Sequence, residues 1–241
     1  MLYEVIELSP PPKTPSTNAR AVNEDGSAAG IANMVTPAVA GVAEPATWDE
    51  GGVPKVPHPL PFEGVAEALN DQGDVVGWFR SSYSQPGRAF IRHPGGQLEG
   101  IAPSPGGDLN VACDINNGGV VVGAERIPTD SGIPDVHPFV YDTNGGSVKA
   151  LGLLPGHVFG FGIAVNEAEH VIGVSSKPHS GSTLADMAHL FIYRAGKMED
   201  LGAGMVESGP GGSPPCDFNN WDVITGVKSL PGDADCERVS A

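Results

Sequence analysis

The sequence has few basic residues and few cysteines. Its 241 residues include 13 Lys and Arg against 29 Asp and Glu, which gives a formal net charge of −16. A phosphate backbone and an anionic membrane surface would both repel such a chain, so we expect neither nucleic acid nor membrane as a partner. Three cysteines are too few for a disulfide scaffold. A Cys216–Cys236 bridge and free thiols are both compatible with the sequence, and Cys113 is the third thiol.

Long apolar runs are also missing. No run approaches the roughly 18 residues of a membrane-spanning helix. The N-terminus, MLYEVIELSPPP, lacks the basic start, apolar stretch and small-residue cleavage site of a signal peptide. This indicates a cytoplasmic protein for the chain as given, or an extracellular one if a leader has been removed. No nucleophile elbow, phosphate-binding loop or dinucleotide fingerprint occurs, and the histidine spacing matches no metal motif. We therefore expect no metal and no cofactor.

What the chain does contain is one phrase repeated five times. Asn-x₆-Gly begins at Asn23, Asn70, Asn116, Asn166 and Asn219. A period of this length indicates a repeated supersecondary unit. In the second copy, β-branched and aromatic segments at 66–70, 75–79, 89–93 and 98–102 alternate with turn residues. Four short strands for each repeat are typical of a β-propeller blade.

The two ends of the chain suggest how the repeats close. Residues 3–8 resemble a fourth strand without its own blade, whereas 216–220 and 223–227 resemble first and second strands without a fourth, and 236–240 resemble a weak third strand. Together they predict one composite blade. The sequence thus predicts an all-β protein, a five-bladed β-propeller closed by the N-terminal strand, as a single domain over residues 1–241. Closure would leave no long unpaired edge, which favours a monomer.

The repeat also resembles a known family. The pattern A-x-x-[IVL]-N-x-x-G-x-V-V-G is followed by the trios RAF (88–90), HPF (137–139) and HLF (189–191), with PAT (45–47) in the first repeat. This combination is similar to the bacterial HAF repeat, named for His-Ala-Phe. The resemblance implies an extracellular repeat protein with no settled activity.

Loop length predicts which face of the disc binds a ligand. Turns between first and second strands and between third and fourth strands are tight, as in NDQG and PGGQ. The other connections are long and differ between repeats. Binding residues concentrate on long loops held by a rigid scaffold, so we expect the site on the long-loop face.

Departures from the repeat suggest candidate residues. Asp114 and Asp217 stand where three copies have Ala, and burial of a carboxylate is unfavourable without a partner. Arg20, Glu67 and Cys113 precede this position by one residue. We expect them near the mouth of the central channel. These residues could instead have structural roles. Asp114 and Asp217 would then accept backbone N–H bonds, and Arg20 and Glu67 would form an ion pair between adjacent blades.

The third and fourth repeats collect most of the other candidates. Histidines and carboxylates there could hold a metal ion, although their spacing matches no metal motif, or supply groups for acid–base chemistry. Aromatic rings are suited to sugars and flat ligands. The predicted catalytic residues are Asp114, Asp217, His157 and Glu67. The predicted ligand-binding residues are Arg20, Tyr83, Arg88, Cys113, Asp135, His137, Phe159, His179, Asp186 and His189.

Two functions are compatible with this pattern. One is a propeller that binds a glycan or small organic molecule at a single site, because the loop sequences differ between repeats. The other is an enzyme with an acid–base site at the channel mouth, such as a lyase, a cyclase or a glycoside hydrolase. Fold alone does not discriminate, because propellers host both.

Overall fold

The computed structural model describes residues 5–12, 14–35, 40–55, 63–82, 84–96, 98–130, 132–178, 188–203, 217–227 and 238–239. Within these ranges the chain forms nineteen β-strands and no helix. No helix in the described part is therefore long and apolar enough to cross a membrane. The predicted all-β fold class is confirmed.

The first two repeats are four-stranded antiparallel sheets with the strands in sequence order. The first contains β1 (Ser16–Val22), β2 (Ala28–Val35), β3 (Ala40–Trp48) and β4 (Pro54–Lys55). The second contains β5 (Glu63–Leu69), β6 (Val75–Arg80), β7 (Arg88–Arg92) and β8 (Leu98–Gly100). The four-strand prediction for each repeat is correct here. The first strands begin earlier than expected, because polar residues such as Ser16 and Glu63 already pair in them.

The later repeats follow the same order. The third contains β9 (Leu109–Ile115), β10 (Val120–Ile127), β11 (Asp135–Asp142) and β12 (Val148–Ala150), and the fourth contains β13 (Phe159–Val165), β14 (Val171–Ser176), β15 (Ala188–Arg194) and β16 (Lys197–Ala203). The fifth contains three described strands, β17 (Asp217–Phe218), β18 (Ile224–Val227) and β19 (Arg238–Val239), paired in that order. The expected third strand near residue 238 is thus present.

The chain divides into two compact units. The first comprises residues 1–102 and 109–117, and the second comprises 103–108 and 118–241. The division falls inside the third repeat, after β9. The single-domain assignment for residues 1–241 stays a prediction.

The glycine that ends each Asn-x₆-Gly phrase is required by a close approach of two strands. A Cβ on Gly77 would lie 2.9 Å from the Val65 carbonyl carbon and 3.1 Å from Ala66 Cα. A bulge at Glu67 interrupts the pairing of β5 with β6 and brings this backbone close. Gly30 is in the same situation opposite Ala19. No side chain fits at these positions, so the glycine belongs to the scaffold.

The asparagine of each phrase caps its own turn. The Asn70 Oδ1 accepts the Asp74 N–H at 2.9 Å, and the Asn166 Oδ1 accepts the His170 N–H at 3.0 Å. The same side chain also links consecutive repeats through its amide nitrogen. Asn23 Nδ2 donates to the Asn70 carbonyl, Asn70 Nδ2 to that of Asn116, and Asn166 Nδ2 to that of Asn219, each at 3.2 Å. We call this series the asparagine ladder.

A second row of bonds runs beside the ladder. The Glu24 N–H donates to Asp71 Oδ1, the Asp71 N–H to Asn117 Oδ1 and the Glu167 N–H to Asn220 Oδ1, each at 2.9 Å. The polar residues Asp71, Asn117 and Asn220 therefore each accept a bond from the preceding repeat. This gives a reason for a side-chain acceptor directly after the asparagine at these three positions.

Residues 5–8 do not form the predicted closing strand. They adopt no strand, and the chain that follows them lies along the first repeat. The Ser9 N–H donates to the Gly52 carbonyl at 3.0 Å, and Trp48 Nε1 donates to the Ser9 carbonyl at 2.8 Å. Leu8 packs against the buried Trp48. Burial of an apolar side chain on this sheet thus places the segment beside β3 and β4.

Candidate functional site

The predicted channel-mouth residues lie elsewhere on their strands. Arg20 and Glu67 are bulged residues, each the fifth of seven in its strand and close to the tight turn. Cys113 has the same place in β9. Their expected position at the long-loop end is wrong, because these strands begin three residues earlier than the apolar pattern suggested.

Arg20 and Glu67 form an ion pair between adjacent repeats, which is the structural alternative from the sequence. Cys113 lies beside them. Burial raises the pKa of its thiol well above the ordinary value, the Glu67 and Asp114 carboxylates raise it further, and Arg20 opposes them. The thiol therefore stays protonated at neutral pH. A thiolate nucleophile is not favoured at this position.

Strand pairing defines one position that differs strongly between repeats. The first residue of each HAF-like trio is Glu44, Arg88, His137 and His189 in turn. Its partners on the second strand are Ala32, Phe79, Glu125 and Ser175, respectively. Pairing also shows that Ala46, opposite Gly30, takes the place of the HAF phenylalanine, so the first trio is residues 44–46. The PAT alignment is wrong by one residue.

In the third repeat this position anchors a loop. Glu125 is completely buried, and its carboxylate accepts bonds from Ser104 N and Ser104 Oγ, both at 2.8 Å. His137 lies opposite Glu125, and its Nε2 is 4.0 Å from Asp135 Oδ2. Glu125 was not among the residues predicted from the sequence. Comparison with Ala32 and Phe79 at the same place would have revealed it.

In the fourth repeat the same position gathers polar groups. Ser175 is completely buried, and its Oγ donates to the Phe159 carbonyl at 3.0 Å. Its oxygen lies 2.9 Å from His157 Nδ1, so the histidine is the donor in that bond. Burial lowers the pKa of His157, and the neighbouring His189 lowers it further. The His157 ring is therefore neutral at pH 7, with its proton on Nδ1.

His189 completes the group together with Asp200. Its Nδ1 is 2.9 Å from both carboxylate oxygens of Asp200. Burial raises the pKa of Asp200, but the Gly202 N–H and His189 outweigh this, and the net pKa is below the ordinary value. The His157 and His189 rings meet edge to face, with centroids 5.2 Å apart. We call His157, Ser175, His189 and Asp200 the histidine cluster.

Asp200 is not a requirement of the repeat. It pairs with Phe191, and the equivalent phenylalanines of the second and third repeats pair with Gly100 and Ala150. Only in the fourth of these repeats does the outer strand supply a carboxylate to the HAF histidine. Asp200 was not among the residues predicted from the sequence, because the repeat pattern does not show the pairing of β16 with β15, which is irregular at Leu201.

An aromatic pair occupies the other face of the same sheet. Phe159 and Phe161 stack with centroids 6.3 Å apart, and Phe159 is 37% exposed. Phe159 pairs with Ser176, whose side chain points away from that of Ser175 because strand residues alternate. The aromatic pair is therefore separate from the histidine cluster. The equivalent strand pair in the second repeat is an ion pair, Glu63 with Arg80.

The remaining predicted residues do not join the cluster. Asp114 lies next to Cys113 in β9, and Arg88 opens β7 opposite Phe79. Asp217 lies in β17, but its side chain is outside the described part. Three further candidates, and both cysteines of the suggested bridge, lie outside the described residues: Tyr83, His179, Asp186, Cys216 and Cys236.

Comparison of the chain with protein-family models finds no matching family, and comparison with curated proteins finds no match. The similarity to the HAF repeat therefore stays a prediction from the repeated motif.

Proposed function

We propose that this protein binds a small organic molecule or a glycan at one specialised site in the fourth repeat, built around the histidine cluster. The observation that carries the proposal is the His189–Asp200 pair. The fourth repeat has this pair where the second and third repeats place Gly100 and Ala150 on the outer strand. A polar pair that the scaffold does not need is the kind of departure that a ligand site requires.

The chemistry of the cluster suits a ligand with hydroxyl or carboxylate groups. Both rings use Nδ1 within the protein, and His189 is half-buried. Their Nε2 atoms are therefore the polar groups that remain for a ligand.

An acid–base enzyme is the second candidate, and the same pair favours it. A carboxylate that accepts a hydrogen bond from the Nδ1–H group fixes the imidazole tautomer and supports Nε2 as a general base. Glycoside hydrolysis is less well supported than elimination or cyclisation. Retaining and inverting glycosidases generally use two carboxyl groups, and Asp200 is the one carboxylate of the cluster.

The ligand proposal is tested by thermal unfolding in a panel of monosaccharides, oligosaccharides and small organic acids. A ligand that binds only the folded state raises Tm by mass action. We expect His189→Gln and Asp200→Asn to remove the shift. His93→Gln should retain it, because His93 has a comparable bond to Asp74 in an exposed turn. A shift that survives both cluster substitutions contradicts the proposed site. Turnover of the bound compound, lost in His189→Gln, would favour the enzyme.

We further propose that the repeats are the blades of a five-bladed propeller. The four-stranded antiparallel sheets of the first two repeats and the asparagine ladder support it. The third and fourth repeats have the same strand order, although one parallel pair, Val136 with Phe159, joins them into an eight-stranded sheet. The ladder also has complementary ends. Among the described residues, the Asn219 amide nitrogen donates to no acceptor and the Glu24 carboxylate accepts no bond, whereas the equivalent groups in other repeats do. If the ring closes as proposed, the pattern of the ladder would pair Asn219 Nδ2 with the Asn23 carbonyl and the Asn220 N–H with the Glu24 carboxylate.

A further inference from the structure

The two imidazoles of the histidine cluster are held in the same tautomer. His157 donates from Nδ1 to Ser175, and His189 donates from Nδ1 to the Asp200 carboxylate. A neutral ring with its proton on Nδ1 carries a lone pair on Nε2. Within the described part of the chain, neither Nε2 makes a hydrogen bond. Two basic nitrogens are thus available in one place.

This arrangement is the one that metal-binding histidines have in proteins. A ligating histidine generally donates its other ring N–H to a carboxylate, carbonyl or water, which fixes the ring and raises its basicity. Asp200 has that relation to His189, and Ser175 has it to His157. Ser175 is itself held by its bond to the Phe159 carbonyl.

The separation of the rings also fits. A tetrahedral metal about 2.1 Å from each Nε2, with an angle of about 109° between them, would place the two ring centroids about 5 Å apart. The observed separation of the His157 and His189 centroids is 5.2 Å. The strongly acidic chain would attract a cation to this site.

We propose that His157 and His189 bind a divalent transition metal such as Zn²⁺ through their Nε2 atoms, with Ser175 and Asp200 as the outer partners that orient the rings. No group of three or more His, Cys, Asp or Glu side chains able to hold a metal occurs in the described ranges. The bound ion would therefore keep coordination positions for water or for a ligand. This inference builds on the proposed function only in using the same cluster.

The test titrates Zn²⁺ into protein freed of metal by a chelator, followed by calorimetry. We expect one Zn²⁺ for each chain, with binding lost in His157→Gln and in His189→Gln. Asp200→Asn should weaken binding by about 10- to 100-fold, because it removes the partner that orients His189. His93→Gln is the matched control and should bind as the unchanged protein does. Absence of binding at millimolar Zn²⁺, or binding that both cluster histidine substitutions leave unaffected, overturns the proposal.

A second measurement does not depend on variants that must fold. The electron paramagnetic resonance spectrum of the unchanged protein with one equivalent of Cu²⁺ should show coupling to two imidazole nitrogens. Coupling to fewer nitrogens overturns the two-histidine site. Metal is the only probe in both experiments, so a negative result in them contradicts the metal site and not the proposed binding of an organic ligand. A negative result in the ligand panel, in turn, contradicts the organic-ligand site and not the metal site.

Discussion

Replacement of Gly77 by alanine would test how the repeat is built. Gly77 lies in β6 opposite the bulge at Glu67. An added Cβ would lie 2.9 Å from the Val65 carbonyl carbon and 3.1 Å from Ala66 Cα, whereas carbon atoms normally approach to about 3.5–4.0 Å. The neighbouring atoms are backbone, so no side-chain rotation relieves the contact. The two strands would have to separate.

The cost of this separation follows from what packs there. Ala66 is fully buried and Phe90 nearly so, in one cluster with Val75. Overpacking of a core by one methyl group typically costs about 1–3 kcal/mol, and movement of a strand also weakens its hydrogen bonds, each worth about 1 kcal/mol. We therefore expect Gly77→Ala to lower the free energy of unfolding by about 3 kcal/mol or more.

Gly100→Ala in the same repeat is the matched control. The nearest atoms to its added Cβ are ring carbons of Phe79 at 3.9 Å, which is ordinary contact. Alanine should be neutral there or stabilise the strand by about 0.5–1 kcal/mol. Urea unfolding of the two variants measures the difference, which should exceed about 1 M in midpoint at a typical slope. If Gly77→Ala unfolds within about 0.5 kcal/mol of the unchanged protein, the steric reason for the repeated glycine is refuted.

Three further predictions concern single positions. If the propeller closes, Glu24→Ala should lower the free energy of unfolding by about 0.5–1.5 kcal/mol, for one lost hydrogen bond. Asp71→Ala is the positive control, because it loses the bonds that the Asp71 carboxylate accepts from Glu24 N and Asn117 Nδ2. If Glu24→Ala does not change the free energy of unfolding in urea, the repeats form an open array. Ala195 has a φ of 49° before Gly196, so Ala195→Asn should raise Tm, because asparagine tolerates this turn conformation better; an unchanged or lower Tm contradicts this. The raised pKa of Cys113 means that above about pH 9 the unfolded chain loses its thiol proton more readily than the folded one. The free energy of unfolding should therefore fall as the pH rises above this value, and it should fall less in Cys113→Ala. Both proteins are measured with the other two cysteines replaced by serine. Equal slopes of the free energy of unfolding against pH would show that the pKa of the Cys113 thiol is not raised.

The sequence alone determined the strand class and the unit of the fold. Asn-x₆-Gly could be identified from five copies because its reasons are local: the Asn70 side chain caps its own turn, and Gly77 meets the strand next to it. A pattern repeated in every copy reports such short-range requirements directly. The four strands of the second repeat were accordingly located to within about three residues.

Only the tertiary structure decided which departures from the repeat come together. Arg20 and Glu67 look like site residues in the sequence, but a bulge in each first strand turns them into an ion pair between neighbouring repeats. Asp200 looks like an ordinary surface carboxylate, yet it pairs with Phe191 beside a bulge at Leu201, and its carboxylate contacts His189. A bulge shifts the pairing of one strand by one residue without a clear mark in the composition. Contacts across strands, and hence the histidine cluster, therefore depend on a register that the sequence pattern does not show.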